Sequence, residues 1–477
     1  MSRRGAIVWI EWGAIIVTVV AVAMLVVQLN SYSNFRERFP AGLTVADVPV
    51  GGLTQEDAAR QLSAVYSSEV DLYYQGERIP LNPADVEFTL ELTTMLREAS
   101  EQRDAIKFWP GFWNYLWNRP VTVNPVTRLA TYSERRLQAI LASIAAGYDE
   151  PAQPPVPVPV TLSFQPGAPG YQLNIEASMP LAAKALLSPT NRQATLVVDQ
   201  MAPLPPRLPI LGRLLENHLA SFAGVHAFYI IDLQTGDTYG KNQDVAFSGT
   251  SIVKIPIMLE VFRKLDHAPN VEETRLLTQT ITESGNYTAN LLLDVIAGKD
   301  DGMLGAKILT ESMWYLGLKN TFIAVPYEEE IPGTYATPAN QRTDINTLPD
   351  PKMQTTPEDI ATLLEMIYQC AAGGGTLLAA YPGSITPDEC QYMIELLTQN
   401  RIGSLIEAGV PEGTTVAHKH GWTAETHGDA GIVFSPGGNY VLAEFLHTPG
   451  WLEWQISSPL LAEISRATYS FFNLQER

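Results

Sequence analysis

Residues 246–266 read AFSGTSIVKIPIMLEVFRKLD, and the reading of this stretch decides the fold. Ser251 and Lys254 stand three apart at the head of an apolar-periodic helix, so their side chains share one face about a turn apart. That spacing has a chemical use. Serine is a weak nucleophile at its own pKa and needs an adjacent base. A lysine desolvated on an apolar helix loses its charge near neutral pH and can take the proton. The helix N-terminus adds a field that favours negative charge developing nearby. Ser-x-x-Lys alone carries little information, since a chain of this length contains it by chance, and its plain reading is an N-cap serine before an exposed lysine.

Working outward, a helix begins at Leu211 (LGRLLENHLASF), followed by a strand (AFYIIDL), a turn (QTGD) and a second strand. Downstream, Ser284-Gly285-Asn286 leads into an apolar helix, YTANLLLD. Further on, Lys419-His420-Gly421-Trp422-Thr423 follows the strand TTVAH, and HGDAGIVF and NYVLAEFLH read as two more strands before a closing helix, SSPLLAEISRATYSFF. The expected class is α+β: an antiparallel sheet flanked by terminal helices, with a helical subdomain. Taken singly, Ser284 is a helix cap and Lys419 a solvated strand end.

Together and in this order, the three motifs resemble the serine β-lactamase (class A type) and penicillin-binding superfamily, whose signature set is Ser-x-x-Lys, Ser-Asp-Asn and Lys-Thr-Gly. The resemblance covers residues 206–477. It implies a β-lactamase/transpeptidase-like fold and an acyl-enzyme formed with β-lactams or D-Ala-D-Ala-like stem peptides, with no cofactor. Carried across by motif, Ser251 attacks the carbonyl, Lys254 is the base, and Ser284 passes a proton to the leaving nitrogen. Asn286 holds the substrate amide, and Lys419 binds the substrate carboxylate. The N–H groups of Ser251 and Trp422 form the oxyanion hole, with Gly421 and Thr423 beside them.

Four departures bear on function. Gly285 replaces the usual Asp. His420 replaces the Thr or Ser of the third motif, leaving Thr423, or His420 itself, to supply the missing donor. The stretch between Lys254 and Ser284 is short for class A enzymes. Finally, the glutamate that activates the deacylating water in class A enzymes precedes the segment matching Thr355-Thr356-Pro357, yet no glutamate occurs between Ile331 and Thr355, and Glu328, Glu329 and Glu330 lie too far upstream for an easy match. Acylation is expected; efficient turnover is not. The alternatives are a cell-wall D,D-carboxypeptidase or esterase, and a non-catalytic peptidoglycan or β-lactam sensor.

The N-terminal part divides differently. Trp12–Leu29 is nearly all apolar and about 27 Å long as a helix, close to a bilayer core. Arg3 and Arg4 precede it, which leaves the N-terminus in the cytoplasm and the rest of the chain outside. The stretch is long for a cleaved signal peptide, so a single-pass anchor and stalk over residues 1–35 is the expectation. Residues 36–205 read as a smaller α+β domain: a short strand and turn in LTVADVPVGG, a helix opened by Thr54 with Asp57 three residues on, and the strand VDLYYQ. An aromatic run follows (FWPGFWNYLW, 108–117), read as packing or a surface patch, with sugar stacking as the rarer use. The proline-rich strap 151–159 is expected to be extended. Pro40–Thr54 (P-x-G-L-T-V-x-x-V-x-V-G-G-L-T) and Gly170–Asn174 (G-Y-Q-L-N) resemble the peptidoglycan-binding domain of vancomycin-resistance W-type proteins, which implies wall binding; a plain spacer is the equal alternative. The boundary with the catalytic part, 206–477, falls in PLPPRLP.

Composition narrows the rest. Hydrophobic residues make up 46% and the formal net charge is −20, with no basic stripe, which argues against nucleic-acid binding. The two cysteines, Cys370 and Cys390, read equally as a disulfide or as buried thiols. His418-x-His420 with His427 nearby offers two ligands on one strand face, but the third-motif context explains the segment better than a metal does.

Overall fold

The computed structural model describes residues 3–474; residues 1–2 and 475–477, and the side chains of residues 3–10 with Arg3 and Arg4 among them, lie outside the described residues. The chain divides into two compact units: residues 1–152 with 169–202, and residues 153–168 with 203–477.

In the first unit, helix α1 (Arg3–Phe35) is continuous, and its Glu11–Phe35 portion, with an 18-residue window of mean hydropathy 2.4, is long and apolar enough to cross a membrane. It is a candidate span or signal sequence. The remainder of the unit is α+β. Thr44–Val45 and Val48–Pro49 make a hairpin whose two turn residues, Ala46 and Asp47, both take positive φ, as a two-residue turn between twisted strands requires. Thr54 caps the helix Gln55–Ser67 by accepting from the Asp57 N–H. Asn174 does the same for the helix Ile175–Leu187. The strand Val70–Tyr74 pairs antiparallel with Glu77–Leu81 and parallel with Gln193–Thr195. The segment ATLVVDQ (194–200) is divided between two sheets: Val198–Met201 turns away to pair with Gly170–Leu173. The aromatic run forms a short helix, α2 (Phe108–Leu116).

The second unit is built on a five-stranded antiparallel sheet. Its strands are β1 (Val225–Asp232), β2 (Thr238–Lys241), β3 (Thr415–Trp422), β4 (Thr426–Phe434) and β5 (Tyr440–His447), in the order β2-β1-β5-β4-β3. Alternate residues of a strand face opposite sides, and both sides are covered here. Phe228, Ile230, Leu442 and Leu446 pack with the terminal helices α3 (Leu208–Leu219) and α7 (Trp454–Phe472). Ala227, Ile231, Val441 and Phe445 pack instead with the helical layer that includes α4 (Lys254–Lys264), α5 (Asn286–Ala297) and α6 (Pro357–Ala371). A sheet buried on both faces explains why β5 is apolar but for Glu444 and His447, whereas β4 keeps the buried polar residues Thr426, His427 and Asp429 in its first half.

Two expectations shift. Helix α3 begins at Leu208 rather than Leu211, because Pro209 falls in the first turn, where a missing N–H costs nothing. The proline-rich strap is extended, but part of it belongs to the second unit: Val156–Val158 pairs with Ser163–Gln165, and Leu162 and Phe164 of that hairpin enter the core beside α7. The two cysteines form a disulfide joining α6 to the helix Pro387–Leu397.

Candidate active site

The site grows from the head of α4. Gly249-Thr250-Ser251 form a tight turn in which the Ile252 and Val253 N–H groups both reach the Gly249 carbonyl, so Ser251 sits one turn ahead of the first helical residue, Lys254. The apolar neighbours Ile252, Val253, Ile255 and Ile257 are fully buried, and they carry the Lys254 stem into the interior with them. Its amine lies 2.9 Å from Ser251 Oγ, 2.7 Å from Asn286 Oδ1, 2.5 Å from the Ser284 carbonyl oxygen and 3.3 Å from Ser284 Oγ. The first and second motifs therefore meet at one nitrogen. Tyr327 closes the cavity beneath, its ring centroid 4.7 Å from Nζ and its hydroxyl donating to the Thr250 carbonyl at 2.8 Å.

Burial lowers the Lys254 pKa to about 7; the charge of Lys419 pushes the same way, and Glu328 opposes. The consequence is specific. Asn286 Oδ1 and the Ser284 carbonyl oxygen can only accept, so a neutral amine donates its two hydrogens to them and turns its lone pair to the Ser251 hydroxyl.

Lys419 lies on the edge strand β3, whose Gly421 approaches Ser251, and is also fully buried. Burial lowers its pKa to about 8, with Asp429 holding it up. Its amine donates to the His420 carbonyl at 3.1 Å. Asn400 Nδ2 donates to the His418 carbonyl at 3.0 Å, so His418 and His420 both turn their carbonyls outward from the sheet. By the alternation of an antiparallel ladder, the Trp422 N–H points to the same open side. Gly421 is required there: a Cβ at this position would stand 2.6 Å from the Ser251 nitrogen and would meet the Thr250 hydroxyl too. The close approach brings the strand backbone at Gly421 against the turn that carries Ser251.

The third-motif side chains are distributed as follows. His420 stacks on Trp422 with ring centroids 5.1 Å apart, and its Nδ1 lies 3.1 Å from Asn400 Nδ2. An amide N–H₂ only donates, so His420 accepts at Nδ1 and carries its proton on Nε2. Burial and then Lys419 depress its pKa to about 4, so it is neutral at ordinary pH. The Thr423 hydroxyl oxygen accepts from the Glu425 and Thr426 N–H groups in the β3–β4 turn. His418 is committed elsewhere: its ring nitrogens lie 2.9 Å from Asp429 Oδ2 and 2.7 Å from the Asn400 carbonyl oxygen. Burial opposes its protonation, but those partners outweigh it and raise the pKa. Its two nitrogens are thus filled, and the His-x-His pair does not converge on a ligand.

One residue that sequence reasoning set aside belongs here. Glu328 accepts a 2.9 Å hydrogen bond from Asn286 Nδ2, and its charge reaches Lys254. The signal was faint: an acidic triplet directly after the buried Val325-Pro326-Tyr327, twenty-seven positions before Thr355. Thr250, Ser284 and Glu328 all take positive φ (48°, 60° and 66°), a conformation costly for side-chain-bearing residues and found where a site demands it.

Comparison with known proteins follows the same contour. A sequence profile of the beta-lactamase enzyme family matches residues 211–272 and 270–472, together more than half of the chain. No curated protein matches. Among similar solved structures are a mutant of PBP-A as an acyl-enzyme complex with penicillin G (23% identical, covering 56% of this chain and 98% of that one, TM-score 0.44). Others are the beta-lactamase of Sphaerobacter thermophilus DSM 20745 (20% identical, 55% and 97% covered, TM-score 0.42) and an ancestral class A beta-lactamase (21%, 54% and 98%, TM-score 0.41). With the family's profile running from the first terminal helix to the last, through the turn that carries Ser251 and the strand that carries Lys419, this chain belongs to the beta-lactamase enzyme family.

Proposed function

We propose that the protein is a membrane-anchored, extracytoplasmic serine hydrolase that forms an acyl-enzyme on Ser251 with β-lactams or D-Ala-D-Ala-like peptides. The observation that carries this reading is the Lys254 amine, shared among Ser251, Ser284 and Asn286 and depressed to a pKa of about 7. Neutral Lys254 takes the Ser251 proton as Oγ bonds to the carbonyl carbon. The resulting oxyanion sits between the Ser251 and Trp422 N–H groups. The C–N bond then breaks, the leaving nitrogen receives a proton from Ser284 Oγ, and Ser284 is refilled from Lys254. Lys419, charged, holds the substrate carboxylate. His420 Nε2–H offers the donor that a third-motif hydroxyl gives elsewhere.

Deacylation needs water to bond to the acyl carbon while the Ser251 ester bond breaks and the proton returns to Oγ. Glu328, an exposed carboxylate bonded to Asn286, is the group we assign to drawing the proton from that water. The address is supported by the α1 span and by the disulfide, which persists in oxidising compartments. For residues 36–205 we propose peptidoglycan binding, on the Pro40–Thr54 and Gly170–Asn174 motifs.

Covalent capture of a fluorescent penicillin, read by gel and intact mass, tests the reading. Labelling is expected in the full chain and absent in Ser251→Ala. Lasting label speaks for a penicillin-binding carboxypeptidase or sensor and rapid release for a hydrolase. Labelling that survives Ser251→Ala would sink the assignment.

A further inference from the structure

The first unit carries a feature that acyl transfer does not use. At the end of α1 the chain changes from exposed to buried at Tyr32, which is 3% exposed. The Tyr32 ring packs on Phe108, Phe112 and Tyr115 of α2 at 5.4, 5.5 and 5.4 Å, and Phe35 packs on Tyr115 at 5.0 Å. Gly111 makes this possible, because a side chain there would collide with the Tyr32 hydroxyl. Helix α2 is therefore fastened to the last turns of the apolar helix. Pro110 does not disturb it, since it falls in the first turn.

With Gly111 and Phe112 facing inward, the helical period sends the other aromatics out. Trp109, Trp113, Leu116 and Trp117 are 60%, 50%, 37% and 65% exposed. Four large apolar side chains at spacings of four, three and one make one continuous face. Tryptophan is the residue that favours the boundary between headgroups and acyl chains, where its ring is buried and its N–H stays wet. Arg36, Arg38, Arg103 and Arg119 stand on the inward side of α2 with Tyr32, Gly111 and Tyr115, the Arg36 guanidinium 5.4 Å above the Phe108 ring and Arg103 paired with Asp104.

We infer that α2 is an interfacial helix, lying in the headgroup–acyl boundary of the membrane that α1 crosses, with Trp109, Trp113, Leu116 and Trp117 inserted. The inference rests on α1 being a retained span. The occupant is lipid rather than sugar because α2 is fastened to the end of the apolar helix, which sets its exposed aromatics at the level where a span would leave the bilayer.

The test places a spin label on the full chain in phosphatidylglycerol–phosphatidylcholine nanodiscs, at Trp113→Cys and, separately, at Val17→Cys. Non-reducing conditions keep Cys370 and Cys390 paired and unlabelled. Depth is read from relative accessibility to oxygen and to a water-soluble nickel chelate. The label at 17 is expected in hydrocarbon, and that at 113 within about 10 Å of the phosphates. A label at 113 that reads as water while that at 17 reads as hydrocarbon overturns the interfacial helix and leaves the span standing. A label at 17 reading as water removes both. Trp109→Ser with Trp117→Ser gives a second readout: brominated lipids should quench less of the total tryptophan emission than in the parent, and equal quenching counts against the inference. Protection of a water-exposed label at 113 by soluble glycan strands would assign the face to sugar instead.

Discussion

The two ends of the catalytic cavity hold the same residue type in two different settings. Lys254 and Lys419 are both wholly buried, and burial pulls both below the usual lysine range, to about 7 and about 8. Around Lys254 stand a serine hydroxyl and two obligate acceptors, so losing the proton leaves a lone pair aimed at a nucleophile. Lys419 bonds its own strand's carbonyl and feels the Asp429 carboxylate, which favours the charged form. Each lysine also raises the cost of charging the other. In the proposed mechanism one of the two yields its proton, and the acceptor geometry makes Lys254 the base and Lys419 the standing charge.

The largest expected effect breaks the base end. Lys254→Met keeps the stem's volume and removes the amine; acylation by a fluorescent penicillin, followed by stopped flow, should slow by about 10²–10⁴-fold. Next, Glu328→Gln should lengthen the acyl-enzyme lifetime by on the order of 10²-fold while acylation changes little, seen by time-resolved intact mass. Equal slowing of both steps would instead mark Glu328 as a positioning residue for Asn286. At the other end, Lys419→Met should weaken capture of a carboxylate-bearing substrate by roughly tenfold, the worth of one charge-assisted hydrogen bond, and should hardly touch a substrate whose carboxylate is esterified. If both substrates lose alike, the contrast between the two lysines fails. The smallest effect is the pH profile. Lys254 works neutral, so the acylation rate should rise as pH passes about 7; Lys419 works charged, so the rate should fall beyond about 8. Lys419→Arg should move the alkaline limb upward and leave the acid limb in place.

Much of the architecture was legible because it depends on local periodicity. The short apolar runs of the β1, β4 and β5 segments and the 3.6 period after Ser251 are each set within a few residues of the chain. Thr54 was readable as a cap for the same reason: a side-chain acceptor three residues before a free N–H is a local arrangement. Glu328 was not readable in this way. Its place beside Asn286 comes from a loop held in a positive-φ conformation and buried at Tyr327, and nothing within the acidic triplet distinguishes the first glutamate from the next two. The Thr423 hydroxyl, free to bind substrate in the sequence, is occupied by the hairpin turn it helps to close. His418, a ligand candidate by spacing, is drawn into a hydrogen bond with Asp429 on the neighbouring strand.

By itself the sequence determined the three motifs and their order, the antiparallel sheet with its terminal helices, the apolar N-terminal helix and the break near the second proline cluster. Each is encoded in residues close together along the chain. Only the tertiary structure decided which acceptors surround Lys254, which way His420 presents its proton, that Cys370 and Cys390 are joined, and that α2 packs on Tyr32. Those outcomes depend on desolvation and on contacts between segments far apart in the chain, and neither quantity exists until the chain is folded.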